Sequence, residues 1–74
     1  MSVRAKFIVE SITDFGSIKK VTLRAVSDDD IPENQRYHRY TPQGLIEISI
    51  DNPPASDQFK PGDRFYVDFT PVNK

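Results

Sequence analysis

From Val3 to Thr13 the chain alternates, with Val3, Ala5, Phe7 and Val9 apolar and Arg4, Lys6 and Glu10 between them. A period of two is that of a half-buried strand, because successive side chains leave a pleated backbone on opposite sides. Ile8 and Ile12 interrupt the polar side. A second alternation runs from Ile18 to Val26, where Val21, Leu23 and Ala25 are set against Lys20, Thr22 and Arg24. Asp14-Phe15-Gly16 lies between, and a three-residue hairpin loop needs positive φ at its third position, which glycine adopts without steric cost. Closing that loop predicts Thr13 opposite Ser17, Ile12 opposite Ile18, Glu10 opposite Lys20, Phe7 opposite Leu23 and Lys6 opposite Arg24. The apolar residues of both strands then share one side. The other side carries an attractive pair, Glu10 with Lys20, and a like-charge pair, Lys6 with Arg24, which either splays into water or faces an anion.

Residues 27 to 44 form the longest interruption, of a length that in a small domain carries function or local structure of its own. Asp30-Ile31-Pro32-Glu33 has the marks of a helix start: Asp30 as N-cap, proline in the first turn and Glu33 in capping-box position. A helix to about Arg39 is predicted, closed by Thr41-Pro42-Gln43-Gly44, where proline disfavours helix at Thr41 and glycine frees the turn. Leu45 to Ile50 reads as the clearest core strand, with Ile46, Ile48 and Ile50 on one face. Asn52 to Gln58 reads as one helical turn capped by Asn52 with Pro53 first, leaving Phe59 to plug the core. Lys60-Pro61-Gly62-Asp63 has the type II turn preference, and Arg64 to Thr70 alternates Phe65, Val67 and Phe69 with polar residues until Pro71 ends the pairing.

The pattern predicts a mainly β single domain spanning 1–74: a four- to five-stranded antiparallel sheet curled into an open barrel of SH3-like or OB-like size. One short helix sits in the central crossover and a helical turn precedes the last strand. A flat sheet would leave one face and two edges bare, so curling, or association of two copies through a sheet edge, is expected.

Composition tightens this picture. The chain has 74 residues, of which 36% are hydrophobic, and it compensates with five phenylalanines and three tyrosines. It has no cysteine, which excludes a disulfide framework and thiolate metal ligation. No apolar run is long enough to span a bilayer and no signal segment is visible, so a cytosolic protein is expected. The formal charge of −1 argues against general affinity for polyanions, although Arg4, Lys6, Lys19, Lys20 and Arg24 give the first hairpin a local basic face.

Catalytic chemistry finds little footing. His38, the one histidine, lies between Arg36 and Arg39, with no carboxylate near in sequence to orient it. Asp28-Asp29-Asp30 lacks the alternating ligands and the glycine of a calcium loop, and reads as a solvated loop and helix cap. No glycine-rich phosphate loop is present, and neither a metal nor a cofactor is expected. One constellation stands out, Arg36-Tyr37-His38-Arg39-Tyr40, in which cations and rings interleave. Three readings apply: tyrosines that only dock a helix on the sheet, a protein-binding hot spot of tyrosine and arginine, or a nucleic-acid or nucleotide platform joined by Arg4, Lys6, Lys20 and Arg24.

Val3-Arg4-Ala5-Lys6-Phe7, Ser11-Ile12-Thr13, Pro32-Glu33-Asn34, Tyr40-Thr41-Pro42-Gln43-Gly44, Phe59-Lys60-Pro61-Gly62 and Phe65 through Pro71, in this order, resemble a family of small uncharacterised tailed-bacteriophage proteins. The resemblance spans nearly the whole chain, with the turn at 14 to 19 shorter here. It implies a phage origin and the host bacterial cytoplasm, or the virion, as its place; it implies no catalytic residues. The expected function is therefore a non-enzymatic binding module that acts on a protein partner of host or phage. A nucleic-acid or nucleotide binder is the second reading, and a membrane partner is not expected.

Overall fold

In the computed structural model, which describes residues 2–73, the two alternating segments form an antiparallel hairpin of β1 (Val3–Asp14) and β2 (Lys19–Val26). β3 (Leu45–Ile50), a helical turn α1 (Pro53–Ser56) and β4 (Arg64–Phe69) follow. The four strands make one antiparallel sheet in the order β3-β2-β1-β4, curled into a half-barrel. β3 and β4 are its edges and do not pair with each other.

Because β1 and β2 are central, their inward residues have neighbours on both sides. Ala5, Phe7, Val9, Val21, Leu23 and Ala25 are buried and form the core. Ile46 and Ile50 of β3, and Phe65 and Val67 of β4, are half-buried at its margins. Phe59 reaches the core as expected and lies 4.9 Å from the Phe65 ring, centroid to centroid.

The hairpin register differs from the predicted one in an instructive way. Phe15 N–H donates to the Ile18 carbonyl (2.8 Å) and Gly16 N–H to Asp14 Oδ1 (2.8 Å), so the loop is longer than three residues. Gly16 does take positive φ, at 93°. Ile12 consequently faces Val21 rather than Ile18, a displacement of three residues that alone would turn every later side chain over. A β-bulge at Glu10 takes one residue back, and Phe7 faces Ala25 rather than Leu23, a net displacement of two. An even displacement preserves faces, so the expected inner set is the observed core. The bulge also explains one of the two interruptions on the polar side: beyond Glu10 the inward phase shifts and Ile12 joins the core margin, whereas Ile8 stays outward beside Arg24. The predicted like-charge pair does not form, since Lys6 faces Val26 and Arg24 faces Ile8.

Two further expectations are corrected. β3 is an edge strand with no buried residue, and Ile48 is 42% exposed, because the sheet order leaves nothing on its far side. The segment from Asp30 to Arg39 is not an α-helix. Pro32 carbonyl accepts from Gln35 N–H (2.9 Å) and Arg36 N–H (3.0 Å), which makes one turn, and there the chain is pulled out into a bridge beside Arg4. Arg4 N–H donates to the Gln35 carbonyl (2.8 Å), so this crossover extends the sheet where β2 has already ended. The capping role expected of Asp30 belongs to Asp28, whose Oδ1 accepts from Asp30 N–H (3.0 Å).

The helical turn and the β4 turn are where they were expected. Pro53 opens α1, although the Asn52 side chain makes no capping hydrogen bond. Gly62 has φ of 92° and Asp63 N–H donates to the Lys60 carbonyl (3.0 Å), closing the turn.

Candidate functional site

The crossover between β2 and β3 touches both faces of the sheet. On the outer face Lys6 and Tyr66 are register partners, and Asp28 comes over them from the loop. The Tyr66 hydroxyl donates to Asp28 Oδ2, with Lys6 Nζ 3.8 Å from the same oxygen. Arg4 and Asp68, also register partners, form a two-pronged pair at 2.7 and 3.1 Å, and the Arg4 guanidinium lies 4.8 Å from the Tyr66 ring centroid. Asp28 is buried, unlike the solvated carboxylate expected. The Tyr66 hydroxyl, the Asp30 amide and Lys6 hold its carboxyl below the usual range against the opposing effect of burial. The same bond raises the Tyr66 hydroxyl. The Arg4 hydrogen bond lowers the Asp68 carboxyl, and Asp68 in turn raises Arg4.

On the inner face Tyr37 packs against the core margin, and Gly44 lies over Phe7, where an added Cβ would stand 3.4 Å from its Cζ. Tyr37 and His38 meet edge to face at 5.0 Å. Arg36 Nε, Tyr37 Oη and His38 Nδ1 are buried without a hydrogen-bond partner, and burial pushes the Tyr37 hydroxyl up. Arg39 and Tyr40 instead point out: Tyr40 is 80% exposed, with the Arg39 guanidinium 5.4 Å from its ring centroid. The five-residue constellation is thus split, with Arg36, Tyr37 and His38 packing the crossover and Arg39 and Tyr40 left at the surface.

The candidate cations are not free. Arg4 pairs with Asp68, Lys6 with Asp28, Lys20 with Glu47 (3.6 Å), Arg24 with Glu10 (3.4 Å), Arg36 with Asp29 (3.4 Å) and Arg39 with Glu33 (3.9 Å). Every candidate cation has a carboxylate of its own chain beside it, so the outer face is a mosaic of alternating sign. Sequence reasoning missed Asp28, Tyr66 and Asp68, whose partners are set by strand order and by a loop that folds back over β1 and β4. The charges of β4 do alternate with its apolar residues, but nothing local says which strand they will face.

Two open grooves border β4, one lined by Lys6, Arg64, Phe65 and Tyr66, the other by Val3, Phe69, Thr70 and Pro71. Among the described residues no cluster of three metal-ligating side chains occurs, and no helix is long and apolar enough to cross a membrane. Comparison with known proteins finds no matching family model, no matching curated sequence and no matching solved structure. The likeness to small phage proteins therefore rests on the sequence motifs alone.

Proposed function

We propose that this chain is a non-enzymatic binding module, phage-encoded as its motifs suggest, that acts by engaging a protein partner of host or virion. The observation that carries the reading is the neutralised basic face. Affinity for nucleic acid comes largely from cations that release counterions from phosphate, and cations already paired to carboxylates must first give those contacts up. Apolar and aromatic surface is open to a partner: Tyr40, Leu45 and Phe69 are exposed at 80, 61 and 54%. Tyrosine and arginine are enriched among the residues that dominate protein interfaces, and Arg39 with Tyr40 presents both on the exposed surface of the crossover.

The test is capture of partners by the tagged chain from infected-host lysate, with and without nuclease, alongside an Arg39→Ala/Tyr40→Ala variant. A stoichiometric protein that survives nuclease and is lost with the variant supports the reading. The same Arg39–Tyr40 stack favours the second reading, a nucleic-acid platform. Nuclease-sensitive recovery, with binding that weakens steeply as salt rises, replaces the first reading with it.

A further inference from the structure

We propose that β4 is a self-pairing edge: two copies of the chain join antiparallel through β4 about a twofold axis at Tyr66, continuing the sheet across both molecules. Three observations carry this. The first is the direction of the unpaired backbone groups. Val9 N–H donates to the Asp63 carbonyl (2.8 Å), and the same register continues through Phe7 with Phe65 and Ala5 with Val67. In an antiparallel pair alternate residues bond to the neighbour. Phe65, Val67 and Phe69 therefore turn their N–H and C=O toward β1, while Arg64, Tyr66 and Asp68 turn theirs off the open edge.

The second is charge. An antiparallel pairing centred on Tyr66 sets Arg64 opposite Asp68 of the second copy, and Asp68 opposite its Arg64, so the residues with free backbone groups also carry opposite signs. Among the described residues Arg64 makes no ion pair. Asp68 holds Arg4, yet its side chain is 41% exposed, and a carboxylate has acceptor sites for a second cation. The third is the inner face: the same register sets Phe65 beside Val67 of the second copy, so two half-buried margins become neighbours in a longer apolar row. Edge β3 has no such match. Centring it on Ile48 brings isoleucines together but sets Glu47 opposite Ser49, with no charge to select the register.

Sedimentation velocity of the full chain across a dilution series tests the proposal, with isotope-filtered NMR on a mixture of labelled and unlabelled protein. The expected result is a concentration-dependent dimer with an intermolecular Hα–Hα contact between Phe65 and Val67, the closely spaced pair of this register. Arg64→Glu, on an exposed residue with no ion pair to lose, places like charges together twice and is expected to weaken the dimer at least about tenfold while leaving the melting temperature of the monomer unchanged. Ile48→Lys on the other edge is expected to leave the dimer intact. A chain that is monomeric throughout, a dimer indifferent to Arg64→Glu, or intermolecular contacts at Ile48 would overturn the proposal.

Discussion

Phe7 touches most of what matters: it sits in the core, faces Ala25 and Phe65 across both neighbouring strands, and lies under Gly44. Phe7→Ala is expected to cost about 3–5 kcal/mol, a large share of the roughly 4–11 kcal/mol that a domain of this length has. Chemical denaturation of the two proteins checks it. At Gly44 a methyl group fits at ordinary contact distance, so Gly44→Ala should be nearly neutral in the same assay. Gly44→Val pushes a branch into Phe7 and should cost about 1–3 kcal/mol. Asp28 and Tyr66 make a different kind of prediction. Asp28, and Asp68 with it, is lowered in the folded state, so its contribution is present above the ordinary carboxylate range and lost as pH falls through the folded value. Tyr66 is raised, so its contribution is present below the ordinary tyrosine range and lost as pH rises through the folded value. Tyr66→Phe should therefore flatten the alkaline limb of melting temperature against pH, and should speed amide exchange at Asp30 and Ile31.

The bulge at Glu10 decides the behaviour of the hairpin as an element. Val9 faces Leu23 and Ser11 faces Thr22, so Glu10 is the unpaired residue, and its removal leaves Ile12 opposite Val21 with every later side chain on its present face. Deleting Glu10 should retain the fold and the Ile12–Val21 cross-strand contact seen by NMR, and should cost the exposed Arg24 ion pair, at most about 1 kcal/mol, along with the local bend. Inserting a residue there should instead turn Ile12 outward and unfold the loop end of the hairpin. The signal was present in the chain as the spacing of three between Val9 and Ile12, where a regular strand keeps two. Reading it as a bulge, though, required knowing what Ile12 faces. The crossover failed as a helix for a related reason. Its capping pattern describes one real turn at Pro32, but the Gln35 carbonyl accepts from Arg4 N–H in β1, a partner that an isolated helix would not offer, and Arg36 bridges to Arg4 there.

For the whole molecule, the sheet has two open edges and a face of paired charges. A protein interface built from Tyr40, Arg39 and apolar neighbours should lose little affinity between low and moderate salt, and a titration of the captured partner at increasing salt checks this. The candidate site was legible in part. Arg39 and Tyr40 were picked out by composition and are exposed, whereas Arg36, Tyr37 and His38 were picked out with them and prove to be packing residues. Of the hairpin cations Lys19, two residues before buried Val21, lies on the inner side, whereas Arg4, Lys6, Lys20 and Arg24 were correctly placed on the outer face. Their neutralisation was not legible, because the carboxylates beside Arg4, Lys6, Lys20 and Arg36 come from β4, β3 and the crossover.

The sequence by itself determined the strands, the turns at Gly16 and Gly62, the helical turn at Pro53 and the inner set from Ala5 to Ala25. Each of these follows from local periodicity or from the φ that glycine and proline allow. Only the tertiary structure decided the order β3-β2-β1-β4, the loss of core status by β3, the burial of Asp28 and the pairing of every candidate cation. These depend on which strands become neighbours, and a period of two says which face a residue takes without saying what lies opposite it.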